Sequence, residues 1–230
     1  MAVRLVSYTQ PTEEFKAEGL ENVQDLIAFC AKVSNPTAQI NKETSERLIK
    51  YLIKHQHWSP LEMANAVLEI DTTRDIAHQI VRHRSFAFQE FSQRYAEPSE
   101  MGEAFVTSEA RLQDLKNRQN SIEIDLGDDN AADLITKWEE LQQDVIYTCG
   151  RAYDWAIENG IAKEVARKVL PEGLTKTRLY MNGTIRSWVH YIELRSANGT
   201  QKEHMDIAIA CAKAIAEIFP LANELNAANG

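Results

Sequence analysis

Cysteine is scarce in this chain, glycine is sparse, and long apolar runs are missing altogether. The three cysteines, Cys30, Cys149 and Cys211, lie far apart, and none forms a Cys-x-x-Cys pair. A disulfide framework or a zinc ribbon is therefore excluded, and each thiol is expected to behave as a small apolar core residue. Only nine of the 230 residues are glycine, while 44% are hydrophobic and 26% charged, the balance of an ordinary globular protein. No stretch approaches the roughly 20 apolar residues that cross a bilayer, so no membrane association is expected. The opening Met1-Ala2-Val3-Arg4-Leu5 lacks the apolar core of a secretory signal, and cytoplasmic residence is the expectation. Positive charge is also in deficit. With a net charge of −9, the chain has no general basic footprint for nucleic acid. A small anionic ligand requires only a local gathering of cations.

Hydrophobic periodicity predicts mixed α/β (α+β) architecture. Strands are expected over Val3 to Thr9, Ala64 to Asp71 and Thr175 to Met181, from their length and apolar pattern. Helical spacing marks Glu21 to Val33, a segment from Thr44 to about His55, and Arg74 to Arg84, with Thr72 and Asp75 as a capping-box-like start. His57-Trp58-Ser59-Pro60 is a connection, and Ser85 to Tyr95 a loop or extended piece. A long helix carries Leu134, Trp138, Leu141, Val145, Cys149 and Ala156 at a period near 3.6 and stops at Asn159-Gly160. Shorter helices follow over Lys163 to Leu170, Arg186 to Arg195 and Glu203 to Phe219. Trp138, Trp155 and Trp188 are expected in the core. No repeat or linker divides the chain. It reads as one domain over residues 1–230, with a polar surface insertion around 97–130, a mostly antiparallel central sheet and long helices.

Chemistry concentrates in Gln79-Ile80-Val81-Arg82-His83-Arg84-Ser85-Phe86-Ala87-Phe88-Gln89-Glu90-Phe91-Ser92-Gln93-Arg94-Tyr95. Three arginines, a histidine, a glutamate and two serines fall within seventeen residues of an acidic protein. Guanidinium groups present paired donors that suit phosphate, and Glu90 and Ser92 add acceptor and hydroxyl chemistry for a sugar or base edge. Successive helical residues diverge by about 100°, so Arg82, His83 and Arg84 cannot all serve one group from one helix face. A helix end opening into a loop lets them serve two adjoining ligands. The histidines lack metal-ligand spacing and an accompanying carboxylate motif, and no metal is expected. Asn182-Gly183-Thr184 and Asn198-Gly199-Thr200 read as turns.

Arg82-His83-Arg84 followed by seven residues and Ser92 resembles the Arg-His-Arg-x7-Ser signature of the flavin-dependent thymidylate synthases. Gln79, Glu90, Arg94 and Tyr95 stand at the spacings of that family. His57-Trp58-Ser59-Pro60-Leu61-Glu62, Ala166-Arg167-Lys168-Val169-Leu170-Pro171 and Arg186-x3-His190-x4-Arg195, with Gln201 and Glu203 beyond, resemble further family segments in order. The resemblance implies synthesis of thymidylate from deoxyuridylate, a methyl transfer with 5,10-methylenetetrahydrofolate as carbon donor and NADPH-reduced FAD as hydride source. It implies deoxyuridylate contacts from Gln79, Arg82, Glu90, Ser92, Gln93, Arg94, Arg167 and Arg195, with Arg195 activating the uracil by stabilising its N3 anion. Ser92 is then a substrate-binding hydroxyl, since no base stands ready to make it a nucleophile.

The same resemblance lines the FAD site with Ser59, Arg82, His83, Arg84, Glu90, Thr184, Arg186 and His190. Many relatives carry Asn-x-Arg at Thr184-Ile185-Arg186, and some carry Asn at His190. His57 and Tyr95 fall on the folate side, and a homotetramer with sites shared between chains is implied. Helix geometry bears on part of this independently. Arg186 and His190 share a face, whereas Arg195, nine residues from Arg186, lies about 180° away. One helix can therefore serve flavin on one side and nucleotide on the other. Two rival readings stand: a nucleotide hydrolase that uses the arginines, and a non-catalytic flavin or nucleotide binder.

Overall fold

Four strands that hydrogen-bond in the order β1-β2-β6-β3, all antiparallel, organise the molecule: β1 (Ala2–Tyr8), β2 (Asn65–Thr73), β3 (Ala87–Glu90) and β6 (Lys176–Thr184). The computed structural model describes residues 2–225. Pairing sets Ala66 opposite Gly183, Leu68 opposite Met181 and Ile70 opposite Leu179. Because side chains alternate along a strand, all six face the same way, and all six are buried. The other face is polar. There Arg178 makes a two-pronged contact with Asp71 at 2.6 and 2.8 Å, while Tyr180 Oη donates to Glu69 at 2.9 Å. An ion pair and a phenol–carboxylate hydrogen bond thus tie β2 to β6 where no apolar layer does.

Helices cover the apolar face. They include α2 (Val23–Ala31), α3 (Ser45–Lys54), α4 (Arg74–Ile80), α7 (Ile185–Arg195) and α8 (Lys202–Ala216), whose Ile27, Ile49, Ile76, Ile80, Trp188, Tyr191 and Ile207 meet in one cluster with the strands. Asn22 caps α2 by accepting from Asp25 N–H at 2.9 Å, satisfying one of its free first-turn donors. Trp188 is fully buried and donates its indole N–H to the Ala66 carbonyl at 3.1 Å, which pins α7 to β2. The mixed architecture and antiparallel sheet agree with the sequence reading.

Several expectations need correction. The helix from Arg74 ends at Ile80 rather than Arg84. Ile76, Ala77 and Ile80 are buried, so one further turn would carry Arg84 onto the same apolar face, where an unpaired cation is costly. The chain instead tightens through an Arg82 N–H to Gln79 carbonyl bond and a His83 N–H to Ile80 carbonyl bond, then runs into β3. The capping residue of α4 is Thr73, not Thr72, and its side chain caps no backbone N–H. Trp138 and Trp155 are not core residues: they are 43% and 60% exposed on the 28-residue α5 (Ala131–Glu158). Periodicity reveals an apolar stripe but not what covers it. Of the cysteines only Cys211 is fully buried, with Cys30 and Cys149 intermediate.

Within residues 97–130, a hairpin of β4 (Arg111–Gln113) and β5 (Ser121–Glu123) forms a separate two-stranded sheet, while Phe105 bridges to Thr175. Between α5 and the main sheet, α6 (Lys163–Ala166) and a 3-10 turn over Arg167–Val169 complete the path.

Gly183 marks the tightest contact near the arginine turn. A Cβ there would sit 2.4 Å from the Phe86 ring, which itself packs at 4.8 Å from Trp188 and 5.9 Å from Tyr191. Phe86 cannot yield without disturbing both. Gly183→Ala is expected to lower stability by about 1–3 kcal/mol in urea denaturation, and less in a Phe86→Ala background. Unaltered stability of the single variant would show that the contact is not a constraint.

Candidate active site

The turn that follows α4 and the C-terminal end of α7 converge. Arg195, the last residue of α7, donates from Nε to His83 Nε2 at 2.9 Å. Because that nitrogen accepts, the single ring proton of His83 stands on Nδ1. Burial, and then the neighbouring Arg195 charge, lower the His83 pKa to about 4. The ring lies edge-on to Tyr191 at 5.0 Å and is 6.3 Å from His204. His204 is driven down to about 3 by burial, then by Arg195 and His83, and burial holds the Tyr191 phenol well above its ordinary value. All three rings are therefore uncharged at neutral pH. Arg195 keeps its charge, and a neutral imidazole rather than a carboxylate positions it.

That distinction decides what the arginine can do. A carboxylate would largely cancel its field, whereas an imidazole orients the guanidinium and leaves the field directed at whatever anion arrives. Arg82, Arg84 and Arg167 have similar freedom: among the described residues no carboxylate pairs with any of them, although Arg4, Arg74, Arg111, Arg178 and Arg186 are all paired. Arg82 and Arg84 are exposed and Arg167 is half-buried. In a chain of net charge −9, cations left unpaired make a local anion site.

The other expected residues fall into groups. Ser59 begins a 3-10 turn beside Trp58, and the turn's Glu62 accepts from Arg186 at 2.5 Å, while His190 meets the Trp58 ring edge-on at 4.4 Å. Arg186 and His190 thus face that segment, and Arg195 reaches His83, as the helical angle implies. Thr184 spends its side chain on α7, accepting from Ser187 N–H at 3.1 Å. Glu90 accepts from Thr177 Oγ1 at 2.9 Å and from Arg74 at 3.4 Å. Gln79 bonds to Gln201 at 2.7 Å.

Arg94 is displaced toward α6, with Glu164 at 3.5 Å and both side chains more than half exposed, a pair worth little. Arg167 lies just beyond α6. Ser92 is half-buried, and Gln93 is buried with its Nε2 lacking a partner among the described residues. No hydrogen bond or ion pair joins Arg94 or Arg167 to the Arg195–His83 group among the described residues.

A cavity of about 750 Å³ lies elsewhere, between Trp138 and Leu141 of α5 and strand residues such as Thr73, Lys176 and Arg178. None of Arg82, His83, Arg84, Ser92 or Arg195 lines it. The arginine turn is the stronger site, because its cations are unpaired whereas Arg178 in the cavity wall is already bound to Asp71. Three contributors escaped the sequence reading: Arg74, Tyr191 and His204. Only His204 left a trace, three residues after Gln201 and so near the same helix face.

Unpaired arginines beside the neutral His83 suit a small anionic ligand. The thymidylate synthase complementing protein family matches residues 17–221. A probable flavin-dependent thymidylate synthase of Paramecium bursaria Chlorella virus 1 is 48% identical, covering 96% of each chain. The flavin-dependent thymidylate synthase of Synechocystis sp. is 44% identical over the same shares. Among solved structures, a UMP/dUMP methylase of Streptomyces cacaoi, PolB, bound with 5-Br dUMP, has the same fold at a TM-score of 0.77 and 23% identity, covering 100% of this chain and 95% of its own. The chain belongs to the family of flavin-dependent thymidylate synthases.

The buried neutral histidines make stability depend on pH. Unfolded histidine titrates near ~6.5, well above His83 at about 4 and His204 at about 3. Acidification below the unfolded value therefore protonates the unfolded chain first and favours it. The urea midpoint is expected to be full above that value and to fall progressively on acidification toward the folded values. His83→Gln should show a shallower decline. A midpoint insensitive to pH between neutrality and the carboxylate range would contradict uncharged, buried imidazoles.

Proposed function

We propose that this enzyme converts deoxyuridylate to thymidylate, taking its carbon from 5,10-methylenetetrahydrofolate and its hydride, by way of FAD, from NADPH. The observation that carries this reading is Arg195, a guanidinium held at 2.9 Å by the neutral His83 and free of any carboxylate among the described residues. Placed beside a pyrimidine, such a charge stabilises the anion formed when N3 loses its proton. Gln79, Arg82, Glu90, Ser92, Gln93, Arg94 and Arg167 bind and orient the nucleotide, with the unpaired Arg167 suited to its phosphate.

The residues of the flavin side fit FAD. Arg82 and Arg84 have unpaired guanidiniums for its pyrophosphate, and Ser59, His83, Glu90, Thr184, Arg186 and His190 supply polar groups or hold α7 in place. When bound, FAD supplies the hydride chemistry that no side chain can perform. His57 and Tyr95, both exposed, face the folate. Residues 1–230 act as one catalytic unit, with 97–130 as a surface insertion. Among the described residues no helix is long and apolar enough to cross a membrane, and the enzyme works in the cytoplasm on soluble metabolites.

Assembly completes the site. Along α5, Leu134, Trp138, Leu141 and Val145 are each between 42% and 48% exposed, an apolar stripe too continuous to face water. A homotetramer covers it and brings Arg94 and Arg167 to the Arg195 group of another subunit.

Purified protein should be yellow, and its reduced flavin should be reoxidised in a deoxyuridylate-dependent manner in the presence of the folate. Arg195→Ala should retain flavin and lose about 10²–10³-fold in rate, the scale of removing one charge-stabilising donor. Ser92→Ala should lose only about three- to tenfold, the scale of a hydrogen bond. Flavin-loaded protein with no such reoxidation would refute the reading, and abolition of turnover by Ser92→Ala would restore that serine as a nucleophile.

Trp138→Glu with Leu141→Glu should reduce the species seen by light scattering from a tetramer to smaller forms, with loss of turnover. An intact tetramer in that variant would remove α5 from the interface.

A further inference from the structure

His204 occupies an apolar position. It precedes Ile207, Ala208 and Cys211 on the buried face of α8 and is itself fully buried. A leucine there would avoid the cost of taking an imidazole out of water. The ring is nevertheless fully engaged, with Nδ1 at 3.2 Å from Gln79 Oε1 and Nε2 at 3.1 Å from Tyr191 Oη.

The network couples its protons. An amide oxygen only accepts, so the ring proton of His204 stands on Nδ1 and the bare Nε2 accepts from the Tyr191 hydroxyl. Gln79 Nε2 donates to Gln201 Oε1 at 2.7 Å. Reversing the Gln79 amide would require the Gln201 amide to flip and the His204 proton to move to Nε2, all three together. In the arrangement of the structure the Gln79 amide keeps a single uncommitted N–H. The phosphate, sugar oxygens and uracil carbonyls of deoxyuridylate are all acceptors.

We propose that His204 is a positioning residue for nucleotide recognition: by donating from Nδ1 to Gln79 Oε1, it locks the Gln79 amide so that an N–H donor meets an acceptor oxygen of deoxyuridylate. The inference rests on reading Gln79 as a deoxyuridylate contact. His204 stands to Gln79 as His83 stands to Arg195, with Tyr191 edge-on to His83 and tilted against His204 at 5.8 Å.

Equilibrium binding of deoxyuridylate to the flavin-loaded enzyme tests this. His204→Leu is expected to weaken binding about three- to tenfold, the scale of losing one oriented hydrogen bond. Flavin content and kcat at saturating deoxyuridylate should stay close to the parent's. In a Gln79→Ala background the same substitution should add nothing, whereas a merely structural role would weaken both backgrounds alike. His204→Asn, whose amide reaches the place of Nδ1, should restore most of the affinity. Should His204→Leu not fold, the Asn and Gln variants carry the test, since a glutamine amide reaches toward Tyr191 and should bind weakly. Parent-like affinity in His204→Leu, equal losses in both backgrounds, or His204→Gln binding as tightly as His204→Asn would each overturn the proposal. Unchanged affinity in Gln79→Ala alone would instead overturn the reading of Gln79 on which it rests.

Discussion

The hydrogen bond from Arg195 Nε to His83 Nε2, 2.9 Å long, joins the two ends of the site, and much of the fold can be understood as the means of making it. His83 reaches it because α4 stops at Ile80 and the chain turns. Arg195 reaches it because Trp188 anchors α7 to β2 through the Ala66 carbonyl. Tyr191 and the surrounding apolar side chains keep the imidazole in its neutral form, and only a neutral imidazole both accepts this bond and leaves the guanidinium charge uncancelled. Replacing the acceptor by a carboxylate would preserve the geometry and cost most of the field.

From that bond α7 reads as a two-sided beam. Arg186 and His190 engage Glu62 and Trp58 on one side, while Arg195 engages His83 on the other. Thr184 at its N-terminus and Trp188 in its middle fix its direction. A rigid helix anchored in this way keeps the groups on its two sides in fixed register with one another. Arg94 and Arg167 stand apart from this beam, beside and just beyond α6.

Much of this was legible in the sequence. Strands β1, β2 and β6, the long α5, its stop at Gly160 and the opposed faces of α7 all follow from periodicity and helix angle, whereas β3 lay in a piece read as loop or extended and β4 and β5 in the polar insertion. The Arg-His-Arg turn with Ser92 carried the family. Less legible were features set by what lies across space. Nothing local says that α4 must end before Arg84; the buried Ile80 and its neighbours decide it. Trp138 and Trp155 look like core residues from their spacing, because an apolar stripe is the same whether its own chain or another covers it. His204 and Tyr191 are separated from Gln79 by more than a hundred residues, and a lone histidine on an apolar face declares no partner. The motif singled out Glu90, but nothing local pointed to Arg74, sixteen residues earlier, as its partner.

The central claim is that Arg195 is positioned by an uncharged His83 whose proton sits on Nδ1. Nitrogen NMR of the protein with isotopically labelled histidine reads both properties directly. At neutral pH the account predicts a neutral His83 ring protonated on Nδ1, with no imidazolium signal until the pH approaches about 4. An imidazolium at neutral pH, or a proton on Nε2, would contradict it.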